Sequence, residues 1–366
     1  MRLRRAHFPV AVAAAASPAV RTRGGYRGRF PQGTVRVSKG DSVPLRIFYV
    51  RRISMKHLFM INPVAGNISP ADKRQRIEEA VARLPAEVRR NDEFEIHITT
   101  APMDAVRHIS SLAESKEPLR VYACGGDGTL NECVNGAAGH PNVAVSHFPC
   151  GTGNDFIKMF GEEKERFFDL EELICGEVRP IDVIKCNDRY SINICSVGLD
   201  ARIGTEVHKY SKVPLIGGPT GYVVSTVVNV VKGISTRMTA RAGELSCGPK
   251  LNLVCACNGR YYGGGFNPVP DARPDDGMMD CLIVSGVNRF TLLGAILGYA
   301  KGKYEKYPQY ITHVRTDRLE IEAPENTVVN VDGEAEYAEK IVFELIPGGV
   351  NFVFPRNMRF FDGAEN

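Results

Sequence analysis

The sequence predicts an N-terminal three-layer α/β domain followed by an antiparallel β-sandwich. Three observations carry this. From Met55 to about Arg179, apolar runs alternate with amphipathic stretches, the pattern of a mostly parallel sheet covered by helices. After Arg179 the chain changes to short apolar segments separated by turn residues, the pattern of antiparallel sheets. In the first half, three apolar runs each end in a glycine-bearing turn, where parallel sheets bind ligands.

HLFMIN reads as a buried strand, and Pro70 to Leu84 as an amphipathic helix starting near Ser69. FEIHITT is the next strand and Asp104 to Ala113 the next helix. LRVYACGGDG is a strand entering a glycine turn, with a helix from Leu130 to Ala138. VAVSHFPCGTGND repeats the strand-then-glycine design. Beyond Arg179, PIDVIKCN, RYSINICSVG, MTARAGELSC, LNLVCACNG, MDCLIVSG, RLEIEAP, TVVNVDGE and KIVFELIPGG read as strands. Only two helix candidates lie between them, around Gly221–Lys232 and Arg289–Tyr304. The expected domains are therefore residues 55–180 and 181–350. The last stretch, VNFVFPRN, is a candidate to return to the first domain, which would then include residues 351–366.

Composition narrows the function. The chain has 366 residues, 43% hydrophobic and 24% charged, and a net charge of +4. That charge is uneven: residues 1–54 hold 12 of the 46 basic residues and one acidic residue, Asp41, so the remaining residues are net acidic. The basic balance belongs to the extension, and nucleic acid is not an expected partner. The extension itself, with Arg2, Arg4 and Arg5 before FPVAVAAAASPAV, faintly resembles a secretory signal. It also suits a disordered basic arm on anionic membrane. A disordered extension or a mis-assigned start, with translation from Met55, is the preferred reading. The ten cysteines form no CxxC pair and sit in apolar runs, as buried reduced thiols do. No run of about 18 apolar residues occurs, so no membrane span is expected.

The chemistry gathers in the turns. Asn62-Pro63-Val64-Ala65-Gly66, Gly125-Gly126-Asp127-Gly128-Thr129 and Gly151-Thr152-Gly153-Asn154-Asp155 each follow a strand. Glycines there bring backbone N–H groups close to phosphate oxygens, backed by a helix N-terminus. Asp127 could reach a magnesium ion carried by nucleotide phosphates. Neither a Walker A loop nor a GxGxxG fingerprint is present. Further on, NGRYYGGGFNPVPDARPDDGMMD is a rigid loop, readable as a β-connection with turn-capping aspartates or as a hard-cation site. Asp332-Gly333-Glu334 ends an apolar strand. Its two carboxylates would share a face if the strand continues, whereas Asp-Gly is itself a strong turn dipeptide.

INPVAG, GGDGTLNE, FPCGTGNDF, the IDVI strand, SVGLDA, NGRYYGGG…PDARPDDG and VDGE, in this order, resemble the diacylglycerol kinase catalytic-domain family, which includes sphingosine and ceramide kinases. The soluble bacterial lipid kinases of that family are the nearer match, over roughly Lys56 to Phe354. GGDGT alone is shared with NAD kinases and phosphofructokinase relatives, whose nucleotide domain the first half would resemble.

The resemblance implies an active site in the cleft between the two domains. ATP would be touched by Asn62 to Gly66, Thr100, Gly125, Gly126, Asp127, Gly128, Thr129, Leu130, Asn131, Glu132, Thr152, Asn154 and Asp155, with Asp127 and Asp155 organising Mg²⁺ and its waters. Asp332 and Glu334 would face the lipid hydroxyl, one of them as base. Asp276, with the backbone carbonyls of Arg273 and Met278, would match a structural magnesium site. A lipid at the inner, cytoplasmic membrane surface would be the partner, diacylglycerol by default, and a homodimer is open. Val213–Val231, apolar and glycine-broken, is the candidate docking element, with a buried core helix as the alternative. A kinase for another lipid alcohol, sphingoid or other, is the first alternative, with NAD kinase and a catalytically inactive lipid-binding relative as the further rivals. Asp332→Asn is expected to abolish turnover and spare the fold.

Overall fold

The structure, a computed structural model, describes residues 54–211, 219–263 and 265–362. The basic extension through Ile53 and the segment from Val213 to Gly218 lie outside the described residues.

In the first half, β1 (Lys56–Ile61), β2 (Glu93–Ile98), β3 (Leu119–Gly125) and β4 (Val143–Pro149) pair in parallel, in the order β2-β1-β3-β4. Helices α1 (Pro70–Arg83), α2 (Ala86–Asn91), α3 (Asp104–Ala113) and α4 (Asp127–Ala137) link them. Helix α1 begins where its sequence says it should: the Ser69 hydroxyl accepts the Asp72 N–H at 3.1 Å and Pro70 opens the first turn. Helix α4 starts on the GGDGT turn itself, three residues earlier than Leu130, so Asp127 is its first residue. A 3₁₀ segment over residues 156–168 and helix α5 (Leu170–Ile174), neither expected, complete this half.

The second half runs β5 (Glu177–Cys186), β6 (Arg189–Ser191), β7 (Ile194–Gly198), α6 (Leu199–Ser211), α7 (Pro219–Lys232), β8 (Thr236–Arg237), β9 (Thr239–Ala242), β10 (Leu245–Cys247), β11 (Lys250–Cys257) and β12 (Met279–Ser285). Then come α8 (Arg289–Tyr299), β13 (Ile311–Thr316), β14 (Arg318–Val331) and β15 (Glu334–Phe354). Its pairings are antiparallel, and Ile184, Val197, Val254, Ile321 and Phe343 sit in the core of the sandwich. Strand β15 is the seam. Its first part pairs with β14, while Asn351 and Phe352 lie parallel to Ala144 and Val145 of β4. Its partner β5 crosses the expected boundary at residue 180, pairing with β15 from Glu177 to Cys186.

Three expectations change. RLEIEAP and TVVNV are one strand with an irregularity between Glu322 and Thr327, and KIVFELIPGG continues into VNFVF past a shift between Ile346 and Val350. Turn residues there make bulges rather than ends. Helix α6 was not expected, because Leu199, Ala201 and Ile203 alternate as on a strand.

Candidate active site

The three glycine turns meet at the carboxyl ends of β1, β3 and β4. Gly66, at φ +67°, lies so close to the next turn that a Cβ there would stand 1.8 Å from the Cys150 carbonyl oxygen. A Cβ on Gly151 would come within 2.4 Å of the Gly126 Cα. No side chain larger than hydrogen fits either contact, so the turns form a floor of bare backbone. The first turn is braced from both sides. Asn62 Nδ2 donates to Thr129 Oγ1 at 3.0 Å, and Asn62 Oδ1 accepts the Val64 N–H at 3.0 Å. From below, the fully buried Lys73 ammonium donates to the carbonyls of Asn62 at 2.8 Å and Ala65 at 2.7 Å.

Over the floor, the Asp127 carboxylate accepts the Asp155 N–H at 2.6 Å, and a Cβ on Gly153 would lie 2.5 Å from Asp127 Oδ2. Burial and the neighbouring Asp155 charge raise the Asp127 carboxyl from its ordinary 3.8 to about 6. Lys158 Nζ lies 2.5 Å from Asp155 Oδ1. Two adjacent carboxylates, Asp155 buried and Asp127 half-buried, are a donor set suited to a hard cation arriving with a nucleotide.

Other residues of the expected set are placed differently. Pro63 and Ala65 are half-buried or exposed in the first turn, Val64 is 85% exposed, and Thr152 and Thr100 are exposed. Thr100 is fixed by Asp104, which accepts its N–H at 2.8 Å. Leu130 points into the apolar core. Glu132 caps α3, accepting the Met103 N–H at 2.9 Å. Asn154, at φ +51°, donates to the Gly151 carbonyl at 2.9 Å and shapes its own turn.

The two carboxylates of VDGE part company. Val331 pairs with Glu334, so Asp332 and Gly333, both at positive φ, are the two-residue turn of a hairpin, and Asp332 is off the strand. Its carboxylate accepts five bonds: from Ser191 Oγ at 2.6 Å, from the N–H groups of Ile192, Asn193 and Ile194 at 2.8, 3.1 and 2.9 Å, and from Asn131 Nδ2 at 2.9 Å. Burial raises this carboxyl while these donors draw it down. Glu334 is exposed, and its Oε1 lies 3.3 Å from where a Cβ of Gly128 would stand. Among the described residues its carboxylate has no hydrogen-bond or ionic partner.

In the second-domain loop, Asp276 Oδ1 accepts the Met278 N–H at 3.1 Å and Oδ2 meets Arg315 Nη2 at 2.5 Å. Arg273 is paired with Asp275 at 2.9 Å. No cluster of three or more His, Cys, Asp or Glu suited to a metal occurs among the described residues. A guanidinium already neutralises Asp276, so a resident magnesium ion fits here only with Arg315 displaced. The loop is anchored instead by buried Asp182, which accepts the N–H groups of Gly277 and Gly348, each at 2.8 Å.

Sequence reasoning missed Lys73, Ser191, Lys158 and Asp182. Lys73 had a signal: it falls on the stripe of α1 that also buries Ile77 and Ala80, where a lysine needs buried partners.

Bare-backbone turns, the Asp127–Asp155 pair and the exposed Glu334 carboxylate beside Gly128 thus come together where an α/β half meets a β-sandwich half. The Diacylglycerol kinase catalytic domain family matches residues 56–186, and the YegS C-terminal NAD kinase beta sandwich-like domain matches residues 193–354. A "Probable lipid kinase YegS-like" of Shewanella frigidimarina is 29% identical over 72% of this chain and 85% of its own. A "Putative lipid kinase" of Staphylococcus carnosus is 25% identical over 64% of this chain and 76% of its own. The crystal structure of a "putative diacylglycerol kinase" from Bacillus anthracis superposes with a TM-score of 0.66 at 26% identity, covering 83% of this chain and 98% of that one. The chain belongs to the diacylglycerol kinase catalytic-domain family of lipid kinases and carries a YegS-type C-terminal domain.

Proposed function

We propose that the protein transfers the γ-phosphoryl group of ATP to the hydroxyl of a membrane lipid, with diacylglycerol as acceptor and phosphatidic acid as product. The observation that carries this is the unpaired Glu334 carboxylate beside Gly128, at the start of the helix whose first residue is Asp127. A hydroxyl entering between them meets a proton acceptor on one side and the phosphate floor on the other. Glu334 takes or orients the hydroxyl proton as the lipid oxygen bonds to phosphorus and the bond to the β-phosphate oxygen breaks, releasing ADP. Asp127 and Asp155 would hold the magnesium ion that accompanies ATP, which neutralises phosphate charge. The glycine turns position the phosphates, and Asp332 locks the hairpin that aims Glu334.

The second domain supports a lipid acceptor. Leu199, Ile203, Leu253, Val284, Leu292 and Ile296 are among the side chains lining a mainly apolar space of about 630 Å³, open mouth included. Beside it, Phe290 is 87% and Val231 71% exposed, with Arg289 and Lys232 as neighbours, a composition suited to an anionic bilayer surface. Among the described residues no helix is long and apolar enough to cross a membrane. Helix α7 covers the described end of the Val213–Val231 segment, and its Ser225 and Asn229 are buried.

The test is transfer from labelled ATP with Mg²⁺ to dioleoylglycerol in mixed micelles, with NAD offered in parallel. Labelled phosphatidic acid supports the reading. Label in NAD alone, or in neither product, contradicts it.

A further inference from the structure

The apolar space in the second domain has one polar wall. Gly198, at φ +95°, turns β7 directly into α6, and Asp200 follows in the first turn of that helix. Asp200 is 6% exposed and lines the cavity among Leu199, Ile203, Leu253 and Val284. Its Oδ1 accepts the Tyr262 hydroxyl at 2.8 Å, and that hydroxyl lies 3.5 Å from the Tyr299 hydroxyl. Asp200 Oδ2 is buried and has no hydrogen-bond partner. The Ser196 hydroxyl is close by, yet it closes no hydrogen bond of ordinary geometry and is also unsatisfied.

An unmet carboxyl oxygen in a mainly apolar enclosure is expensive to keep, and the Tyr262 hydroxyl occupies the other oxygen, Oδ1, alone. A methyl-bearing side chain would complete the wall without that penalty. Asp200 does no work in phosphoryl transfer either. Ile194, whose N–H binds Asp332, is at the opposite end of β7, and the strand alone sets it roughly 13 Å from Gly198, after which α6 begins. Whatever meets Asp200 is therefore a different group from the hydroxyl that meets Glu334.

Resting on the lipid-kinase reading above, we propose that Asp200 is a specificity-determining anchor, which binds a second hydroxyl carried on the hydrocarbon part of the lipid acceptor. Two features select a hydroxyl. It both donates and accepts, so it satisfies Oδ2 and Ser196 Oγ together, which an ester carbonyl cannot do. It also meets Oδ2 in either protonation state, and burial holds this carboxyl above its ordinary value, with the Tyr262 hydroxyl drawing it back. The chain either side of the hydroxyl would lie against Leu253, Val284, Leu292 and Ile296.

The experiment is calorimetric binding of micellar glycerides to the full chain without ATP, so that phosphoryl transfer does not enter. One probe carries 12-hydroxyoleoyl chains and the other plain oleoyl chains. The wild type is expected to bind the hydroxylated glyceride roughly tenfold or more tightly, the scale of one hydrogen bond to a charged or buried partner. In Asp200→Leu the preference should vanish while plain-chain binding persists, which also shows that the variant is folded. Tyr262→Phe, which releases Asp200 Oδ1 but keeps the carboxyl, should reduce the preference without abolishing it. Equal affinity of the wild type for both probes, as when an ordered water serves Oδ2, would overturn the proposal, as would binding of neither probe. So would an undiminished preference in Asp200→Leu. The kinase assay with dioleoylglycerol separately decides whether the lipid reading stands.

Discussion

Asn131 Nδ2 donates to Asp332 Oδ2 at 2.9 Å across 201 residues of sequence. Asn131 belongs to the helix that begins at Asp127, and Asp332 turns the hairpin that continues into Glu334. One hydrogen bond therefore joins the helix that starts on the GGDGT turn to the hairpin that carries Glu334. With Ser191 and three backbone N–H groups on the same carboxylate, it fixes how far Glu334 stands from Gly128.

Asp332→Asn replaces an acceptor of five bonds with a group that must present N–H to some of the same donors. Unmet buried donors cost about 1–3 kcal/mol, so this variant should lose that much stability as well as turnover. Glu334→Gln, at an exposed and unpaired position, should stay within about 0.5 kcal/mol of wild type. Urea denaturation of both variants checks this, and equal losses would count against the division of roles.

Asp127 ties activity to pH. Its carboxyl is raised to about 6, so nucleotide binding that needs the ionised form should weaken as pH falls through that value. The stability effect has the opposite sense. Between 3.8 and about 6 the folded chain keeps a proton that the unfolded chain has released, so ionising this group lowers stability as pH rises. Asp127→Asn should therefore melt higher than wild type near neutral pH, by up to ~3 kcal/mol. That advantage should shrink toward pH 4 or so, while turnover is lost throughout. Thermal melts across pH with parallel assays decide it; a variant less stable at neutral pH would contradict the assignment.

Lys73→Met removes both charge-assisted bonds that hold the first turn, each about 1.5–3 kcal/mol in scale. ATP affinity should fall at least roughly tenfold. Gly66→Ala should be more severe, because its Cβ would meet the Cys150 carbonyl oxygen. Calorimetric ATP binding reads both; unchanged affinity in either would show that the floor does not hold the nucleotide.

Arg315→Gln frees one oxygen of Asp276. If that residue helps bind a magnesium ion, the melting temperature should gain a larger Mg²⁺-dependent increase in this variant than in wild type, and Asp276→Asn should gain none. Identical Mg²⁺ responses in all three proteins would leave Asp276 with its ion-pair role alone.

Local features were the legible ones. The strand-then-glycine turns, the Ser69 cap and the alternation of elements are each written within a few neighbouring residues, and both halves of the fold follow from them. Distant partners were not legible. The donors around Asp332 lie 138 or more residues away, so spacing alone left it level with Glu334 as a base. The Asp-Gly turn was in view, but the direction of its carboxylate depended on where Ser191–Ile194 would lie. Helix α6 was illegible for another reason: its first apolar residues alternate, and the elements it packs against, chiefly α7 and β14, are distant in sequence or lie beyond it.

The central claim is that Glu334 handles the acceptor hydroxyl while leaving nucleotide binding to the turns. Single-turnover phosphoryl transfer to dioleoylglycerol by Glu334→Gln, with ATP affinity measured on the same sample, tests it most directly. The account predicts a rate lower by roughly 10²–10⁴-fold with ATP binding unchanged. Transfer at the wild-type rate would contradict it.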